Sequence, residues 1–112
     1  MGLGEQASDS ETSARKASEL RDNVERRRFE LPVGEHVAFV EYWRVGKRLH
    51  LMHTEVPAAL QGRGAGSRLI QAVLERARAE GAEIVPNCPF VKAYLAKHPE
   101  YQPLVHVLRA PI

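Results

Sequence analysis

Gln61-Gly62-Arg63-Gly64-Ala65-Gly66 is the stretch on which the reading of this chain turns. It lies between a predicted strand, Leu49 to Val56, and a predicted helix running to about Glu80. Glycines at 62, 64 and 66 leave backbone N–H groups uncovered by any Cβ. A helix that starts there adds unpaired donors and the positive end of its dipole. Phosphate or pyrophosphate is the natural guest of such a junction. A P-loop would need Lys-Ser/Thr after its last glycine, and Gly66 is followed by Ser67-Arg68. A dinucleotide fingerprint would need a third glycine where Ser67 or Leu69 stands. The spacing that fits is Q-x-x-G-x-G, as Gln61, Gly64 and Gly66. A glycine-rich turn without a ligand is the alternative.

Downstream of the loop, Leu69, Ile70, Val73, Leu74 and Ala77 form one stripe at helical spacing. Arg68, Gln71, Glu75, Arg76 and Arg78 cover the other side, and Gly81 suits the helix end. Ala82 to Val85 reads as a short apolar strand, and Pro89 opens a second helix to about Lys97 that Pro99 ends. Leu104 to Leu108 is either a last short strand or an apolar tail. Upstream, Val24 to Leu31 reads as a charged edge strand and Pro32 to Glu35 as a turn. His36 to Val45 is a strong strand, returned by a Gly46-Lys47 hairpin into a strand from Arg48 to Val56. In that strand Leu49 and Leu51 are expected on one face and Met52 and Val56 on the other, as in a central strand. The order is three antiparallel strands, helix, strand, helix. This is an α/β fold with a mixed, mainly antiparallel sheet and a right-handed β-α-β crossover.

The chain has 112 residues and 44% apolar side chains, enough for one domain. Residues 1–21 read as a disordered tail, with a frayed turn from Ala14 to Leu20, and 22–112 as the domain. Sixteen basic and 14 acidic side chains give a net charge of +2, too balanced to argue for nucleic acid. A single cysteine excludes an internal disulfide framework and suits a reducing compartment. No apolar run approaches the roughly 20 residues of a membrane helix, and no apolar leader opens the chain. A cytoplasmic setting is the expectation. Arg26-Arg27-Arg28 would alternate in direction on a strand, and no aromatic platform accompanies them, so a solvated edge is expected there.

Strand, Q-x-x-G-x-G loop, amphipathic helix, short strand and second helix together resemble the acetyl-CoA-binding half of the GCN5-related N-acetyltransferases. His53-Thr54-Glu55-Val56-Pro57, the loop, Cys88-Pro89-Phe90-Val91, Tyr94 and His98-Pro99-Glu100-Tyr101 look like its small, minimal subfamily. The resemblance covers about Val24 to Val105. It implies acetyl-CoA as cosubstrate and a β-α-β-α cofactor-binding unit. Ordinary members carry one or two helices between their first two strands, helping to cover the acceptor. Here Leu31 to Glu35 leaves space only for a turn. The acceptor side is therefore expected to be open, suited to a protein amine or another large acceptor.

Acetyl transfer needs a held pyrophosphate, a polarised thioester carbonyl, a base for the ammonium and a proton for the thiolate. The resemblance assigns the pyrophosphate to the amides from Arg63 to Ser67, within the set Gln61, Gly62, Arg63, Gly64, Ala65, Gly66, Ser67 and Arg68. Arg63 and Arg68 either add charge-assisted contacts or are plain solvated charges. The backbone of Glu55 and Val56 would face the pantetheine arm. Glu55 is the first candidate base, or else an exposed strand-end carboxylate; His53, two residues away, shares its face. His50 is expected on the opposite face, and no cluster suggests a metal.

Cys88 starts the second helix, where a thiolate is stabilised. By resemblance it lies near the cofactor thiol, to accept acetyl transiently or form a mixed disulfide; a small buried apolar side chain is the alternative. Asn87 and Tyr94, seven apart, match an Asn and Tyr pair common in the larger family, which makes Tyr94 the candidate general acid, or else a core aromatic. His98 and Tyr101 read as helix-end packing. The expected function is transfer of acetyl from acetyl-CoA to a primary amine, by a monomer or weak dimer. A non-catalytic CoA-binding or protein-interaction module is the rival.

Overall fold

The computed structural model describes residues 19–106. Five strands form one sheet in the order β1-β2-β3-β4-β5: β1 Arg21–Asn23, β2 Arg28–Val33, β3 His36–Val45, β4 Arg48–Glu55 and β5 Glu83–Pro86. Neighbours run antiparallel except β4 and β5, which are parallel and joined by helix α1, Ala65–Glu80. Helix α2, Pro89–Lys97, follows β5, and a 3-10 helix, Pro99–Leu104, ends the described chain. The mixed, mainly antiparallel sheet with its β-α-β-α unit is the architecture that the sequence implies.

The core lies on one side of the sheet. Phe29 and Leu31 of β2, Ala38 and Val40 of β3, Leu49 and Leu51 of β4 and Ile84 of β5 meet the Leu69, Ile70, Val73, Leu74 and Ala77 stripe of α1. Val91, Tyr94 and Leu95 bring α2 into the same cluster. Gly81 ends α1 at φ 73°, the left-handed backbone expected of it. No helix among the described residues is long and apolar enough to cross a membrane.

Several expectations are corrected. Val24 to Leu31 is not one strand: Val24–Arg27 is a turn between β1 and β2. The amide of Arg26 donates to Oδ1 of Asn23 at 3.2 Å, and Arg27 takes φ 53°, so the chain reverses inside the basic run. Four strands therefore precede α1. The Arg27 guanidinium lies 4.4 Å above the Trp43 ring and that of Arg28 lies 4.1 Å above Phe39. The next turn is narrower than expected, because Pro32 and Val33 pair with Val37 and His36 and leave only Gly34 and Glu35. Pro32 is tolerated there because β1 has already ended at the residue paired with Glu30. The strand expected at Ala82 to Val85 is shifted by one residue.

Leu20 is buried and β1 begins at Arg21, so packing reaches residues assigned to the tail. Residues 14–18 of the expected turn lie outside the described residues. Of the strand expected at Leu104 to Leu108, Leu104 closes the 3-10 helix and Val105 makes one bridge to Ile84. Val107 and Leu108 lie outside the described residues.

The sheet's other face carries a charged patch instead of a helix. Glu30 is buried there, accepting from Arg28 Nε at 2.7 Å and Asn23 Nδ2 at 3.0 Å, with Arg21 3.6 Å away. Burial pushes its carboxyl up, but the hydrogen bonds from Arg28 and Asn23 and the charges of Arg28 and Arg21 outweigh it. Its pKa ends below the ordinary value.

Candidate functional site

The register of β4 shifts halfway along. Tyr42 pairs with Leu51, yet Glu41 pairs with His53, so Met52 is an extra residue in β4. The extra residue reverses the alternation. Leu49 and Leu51 face the helices, and after the bulge Thr54, opposite the buried Val40, does so as well. Val56 packs against the same core. The expectation that Val56 lies opposite Leu49 and Leu51 is thus overturned. His53 and Glu55 fall on the far face with Glu41 and Phe39. His50, paired with Trp43 before the bulge, also lies on that face, contrary to expectation.

At the same level β5 leaves β4. The parallel ladder ends at Leu51 opposite Pro86, with a last bond from the Asn87 amide to the Leu51 carbonyl at 3.0 Å. β4 continues to Glu55 paired only with β3. The two parallel strands therefore part where α2 begins. Asn87 is committed to this junction: its side-chain amide also donates to the Met52 sulfur at 3.2 Å.

Cys88 sits in this cleft as the N-cap of α2, only 4% exposed. Its sulfur lies 3.3 Å from Thr54 Oγ1, a contact made possible by the β4 bulge. Burial pushes the thiol up, but the Thr54 hydroxyl and the nearby amides of Val91, Phe90 and Thr54 outweigh it. The pKa ends below that of an ordinary cysteine. Thr54 has no assigned role in the sequence reading, because simple alternation puts it on the opposite face.

The glycine loop closes the other side. Pro57 and a 3-10 turn, Ala58–Leu60, carry the chain out of β4, anchored by buried Leu60. The Arg63 amide donates back to Leu60 at 3.2 Å, which removes it from the expected phosphate cradle. Gly62 and Gly64 take φ 80° and 76°, and Gly64 caps α1. The first amide to bond back into the helix is that of Arg68, to Gly64 at 3.0 Å, so the N–H groups of Ala65, Gly66 and Ser67 occupy the unpaired first turn. Gln61 spans the mouth and donates from Nε2 to the Val56 carbonyl at 3.1 Å. Arg68 Nη1 donates to the Arg63 carbonyl at 3.0 Å, so one edge of the guanidinium braces the loop.

A cavity of ≈ 230 Å³ lies against this loop, walled by Val56, Leu60, Gly66, Ser67 and Phe90. Gly66 is there for space: a Cβ would stand 2.6 Å from the Phe90 ring and 3.2 Å from Val56. A helix N-terminus, glycine where the walls are closest, and a parted strand edge next to it suit a diphosphate with an extended arm. Phe90, quoted in the sequence pattern without a role, proves to be a wall of the cavity.

The remaining candidates separate into two groups. His53 Nε2 and Glu55 Oε1 are 3.3 Å apart, both more than half exposed, on the open face at the end of β4. Tyr94 stands elsewhere. It is buried, stacked on His98 at 4.0 Å and 6.2 Å from Tyr101. Burial and the charges of Glu100 and Glu75 raise its pKa. Tyr101 donates to Glu75 at 2.6 Å, so Tyr94, His98 and Tyr101 tie the end of α2 to α1. The Asn87 and Tyr94 spacing is present, but the contacts of Tyr94 belong to this helix-end cluster and not to Cys88.

Comparison with known proteins agrees with this geometry. The family described as GCN5-related N-acetyl-transferase matches residues 28–104. Protein NATD1 of Gallus gallus is 37% identical over 71 residues, 62% of this chain and 64% of that protein. Protein NATD1 of Homo sapiens is 36% identical over 63 residues, 55% of this chain and 56% of that protein. The matched region thus spans less than two thirds of these relatives. An NMR structure from Staphylococcus aureus, assigned as a GCN5-like N-acetyltransferase, superposes with a TM-score of 0.62. It is 30% identical and the match covers 81% of this chain and 90% of that one.

Proposed function

The chain belongs to the GCN5-related N-acetyltransferase family, and we propose that it binds acetyl-CoA and transfers the acetyl group to a primary amine in a direct ternary complex. The observation that carries this reading is the parting of β4 and β5 beside the glycine loop. The loop presents the amides of Ala65, Gly66 and Ser67 to a diphosphate, and the unpaired edge of β4 accepts an amide-bearing arm. An arm laid along Thr54 to Val56 ends near Cys88.

Glu55 is the base for the incoming ammonium, with His53 as its partner. Both lie at the solvent-exposed end of β4, where an acceptor can reach them. The acceptor is macromolecular. The β1–β2 and β2–β3 connections are turns at Val24–Arg27 and Gly34–Glu35, with no helix to enclose a small amine. Cys88 holds the thiol end of the site and is the second candidate for chemistry. A monomer or weak dimer in the cytoplasm completes the reading.

One observation favours the rival, a CoA-binding or protein-interaction module without turnover. Tyr94, the candidate proton donor to the leaving thiolate, is engaged in the helix-end cluster. Calorimetric and NMR titration with acetyl-CoA and CoA tests the shared premise. Binding with shifted amides at Gly62 to Ser67 and near Cys88 is expected, and no binding at millimolar ligand would defeat every CoA-dependent reading and leave the protein-interaction module. Turnover with a panel of amines and peptides then separates them. Glu55→Gln is expected to lower turnover by roughly 10²-fold or more with binding retained. Cys88→Ala under the same assay shows whether the thiol takes part.

A further inference from the structure

The helices pack on one face of the sheet, and Glu55 and His53 stand on the other. Strand alternation puts Phe39, Glu41 and Trp43 of β3 on that open face, because Ala38, Val40 and Tyr42 are buried in the core. Glu41 pairs with His53 and Phe39 with Glu55, so Glu41 and Glu55 are diagonal neighbours across the two strands. Such positions are about 7–8 Å apart, a spacing that lets two long carboxylates close on one ammonium. Trp43 follows two residues along β3 and is 49% exposed. With Val24, Arg27 and Arg44 it walls a hollow of ≈ 370 Å³, and the Arg27 guanidinium lies over its ring. Arg44 is held by Asp22 and Glu80, and Arg28 by Glu30. Among the described residues neither Glu41 nor Arg27 has an ion-pair partner. The face is therefore polarised. Unmatched negative charge lies at its Glu55 end, and an exposed aromatic ring under unmatched positive charge lies toward the hairpin.

We propose that this open face docks a lysine-bearing segment of another protein along β3, with the lysine ammonium between Glu41 and Glu55 and an acidic side chain two residues away on Arg27 at Trp43. The inference rests on the acetyl-transfer reading above and adds the chemistry by which the acceptor is recognised. Same-face residues of an extended segment are about 6.8 Å apart, which is also the step from Glu41 to Trp43 along β3. Charge complementarity then sets the pattern: a cation over the paired carboxylates and an anion over the arginine. Tryptophan and arginine are the side chains around which binding energy concentrates at protein interfaces. A small amine would occupy only the Glu55 end and gain nothing from Trp43 or Arg27.

The test is steady-state acetylation, at saturating acetyl-CoA, of Nα-acetyl-lysine amide and of blocked peptides with one lysine. The peptides carry glutamate, alanine or arginine two residues before or after the lysine. The wild type is expected to favour a glutamate peptide over its arginine counterpart by roughly fivefold in kcat/KM, the size of an exposed charge pair. Arg27→Gln should erase that preference. Trp43→Ala should raise KM for the peptides by about tenfold and shrink their advantage over Nα-acetyl-lysine amide. Glu41→Gln should raise KM for every acceptor by about fivefold with kcat retained, in contrast to the kcat loss expected of Glu55→Gln. All three side chains are exposed, so the variants should fold, which thermal melting checks. Peptide turnover that is indifferent to the flanking charge and to Trp43→Ala would overturn the docking face and leave acetyl transfer standing. A preference for the arginine peptides would also overturn it. CoA binding without acetylation of any acceptor would end both.

Discussion

The two halves of β4 behave in opposite ways. From Arg48 to Leu51 the strand is paired on both sides, and Leu49 and Leu51 are wholly buried beneath α1. From Met52 to Glu55 it is paired on one side only, its alternation is reversed, and His53 and Glu55 stand in solvent. One inserted residue separates a half that holds the molecule together from a half that can present groups to a ligand. Stability and chemistry share a strand without sharing residues.

The largest effect that tests this division is on folding. Leu51→Ala should cost about 3 kcal/mol of stability in urea unfolding, within the usual span for a buried leucine. Glu55→Ala, four residues on, should cost less than about 0.5 kcal/mol. Similar losses at the two positions would erase the distinction. The paired half leans on β3, which in turn is braced by the Glu30 cluster. Glu30→Gln should cost about 1–3 kcal/mol by weakening charge-assisted bonds to Arg28 and Asn23.

The sign of the pH effect follows from the lowered carboxyl pKa of Glu30. The fold prefers the ionised form, so this stabilisation is complete above the unfolded value near about 4.3 and fades as pH falls through the folded value. Acid titration of Glu30→Gln by circular dichroism should lack that component of the decline. An unchanged acid profile would remove Glu30 from the account.

Smaller effects belong to the open half. Thr54→Val should cost under about 1 kcal/mol, since a partly buried hydroxyl is replaced by an isostere. It should also raise the pH midpoint of Cys88 alkylation, because a bond that stabilises the thiolate is lost. The same midpoint in both proteins would show that the helix amides alone lower the thiol pKa. The smallest change is expected for His53→Ala, below about 0.5 kcal/mol, because its pairing with Glu55 is exposed. A stability loss above that would mean the open end of β4 is more rigid than its surroundings imply.

Which of these features could be seen in the sequence follows from their range. Both helices were legible, because the Leu69 to Ala77 stripe and the Gly81 and Pro89 boundaries are local signals. The glycine loop was legible for the same reason. The β1–β2 hairpin was not: Val24–Arg27 carries no glycine or proline, and the reversal depends on Asn23 capping the turn and on Arg27 at positive φ. The bulge at Met52 has no local signature either, because it exists only in the pairing of β4 with β3. Three misplacements around β4 descend from it: the face of His50, the side of Val56 and the unnoticed Thr54. The brace from Arg68 to the loop has no signature of its own, since bracing a carbonyl and binding an anion call for the same side chain.

A parallel strand that outlasts its neighbour also creates a hazard. The free edge at the end of β4 offers backbone donors and acceptors to any extended chain, which is how sheets recruit strangers and aggregate. Gln61 counters this by placing its carboxamide on the Val56 carbonyl, and Pro57 next to it has no N–H to give. The edge left available is a few residues long, too short to seed a ladder with another strand. The hexapeptide that opens the ligand cavity thus also shortens the strand edge left exposed beside it.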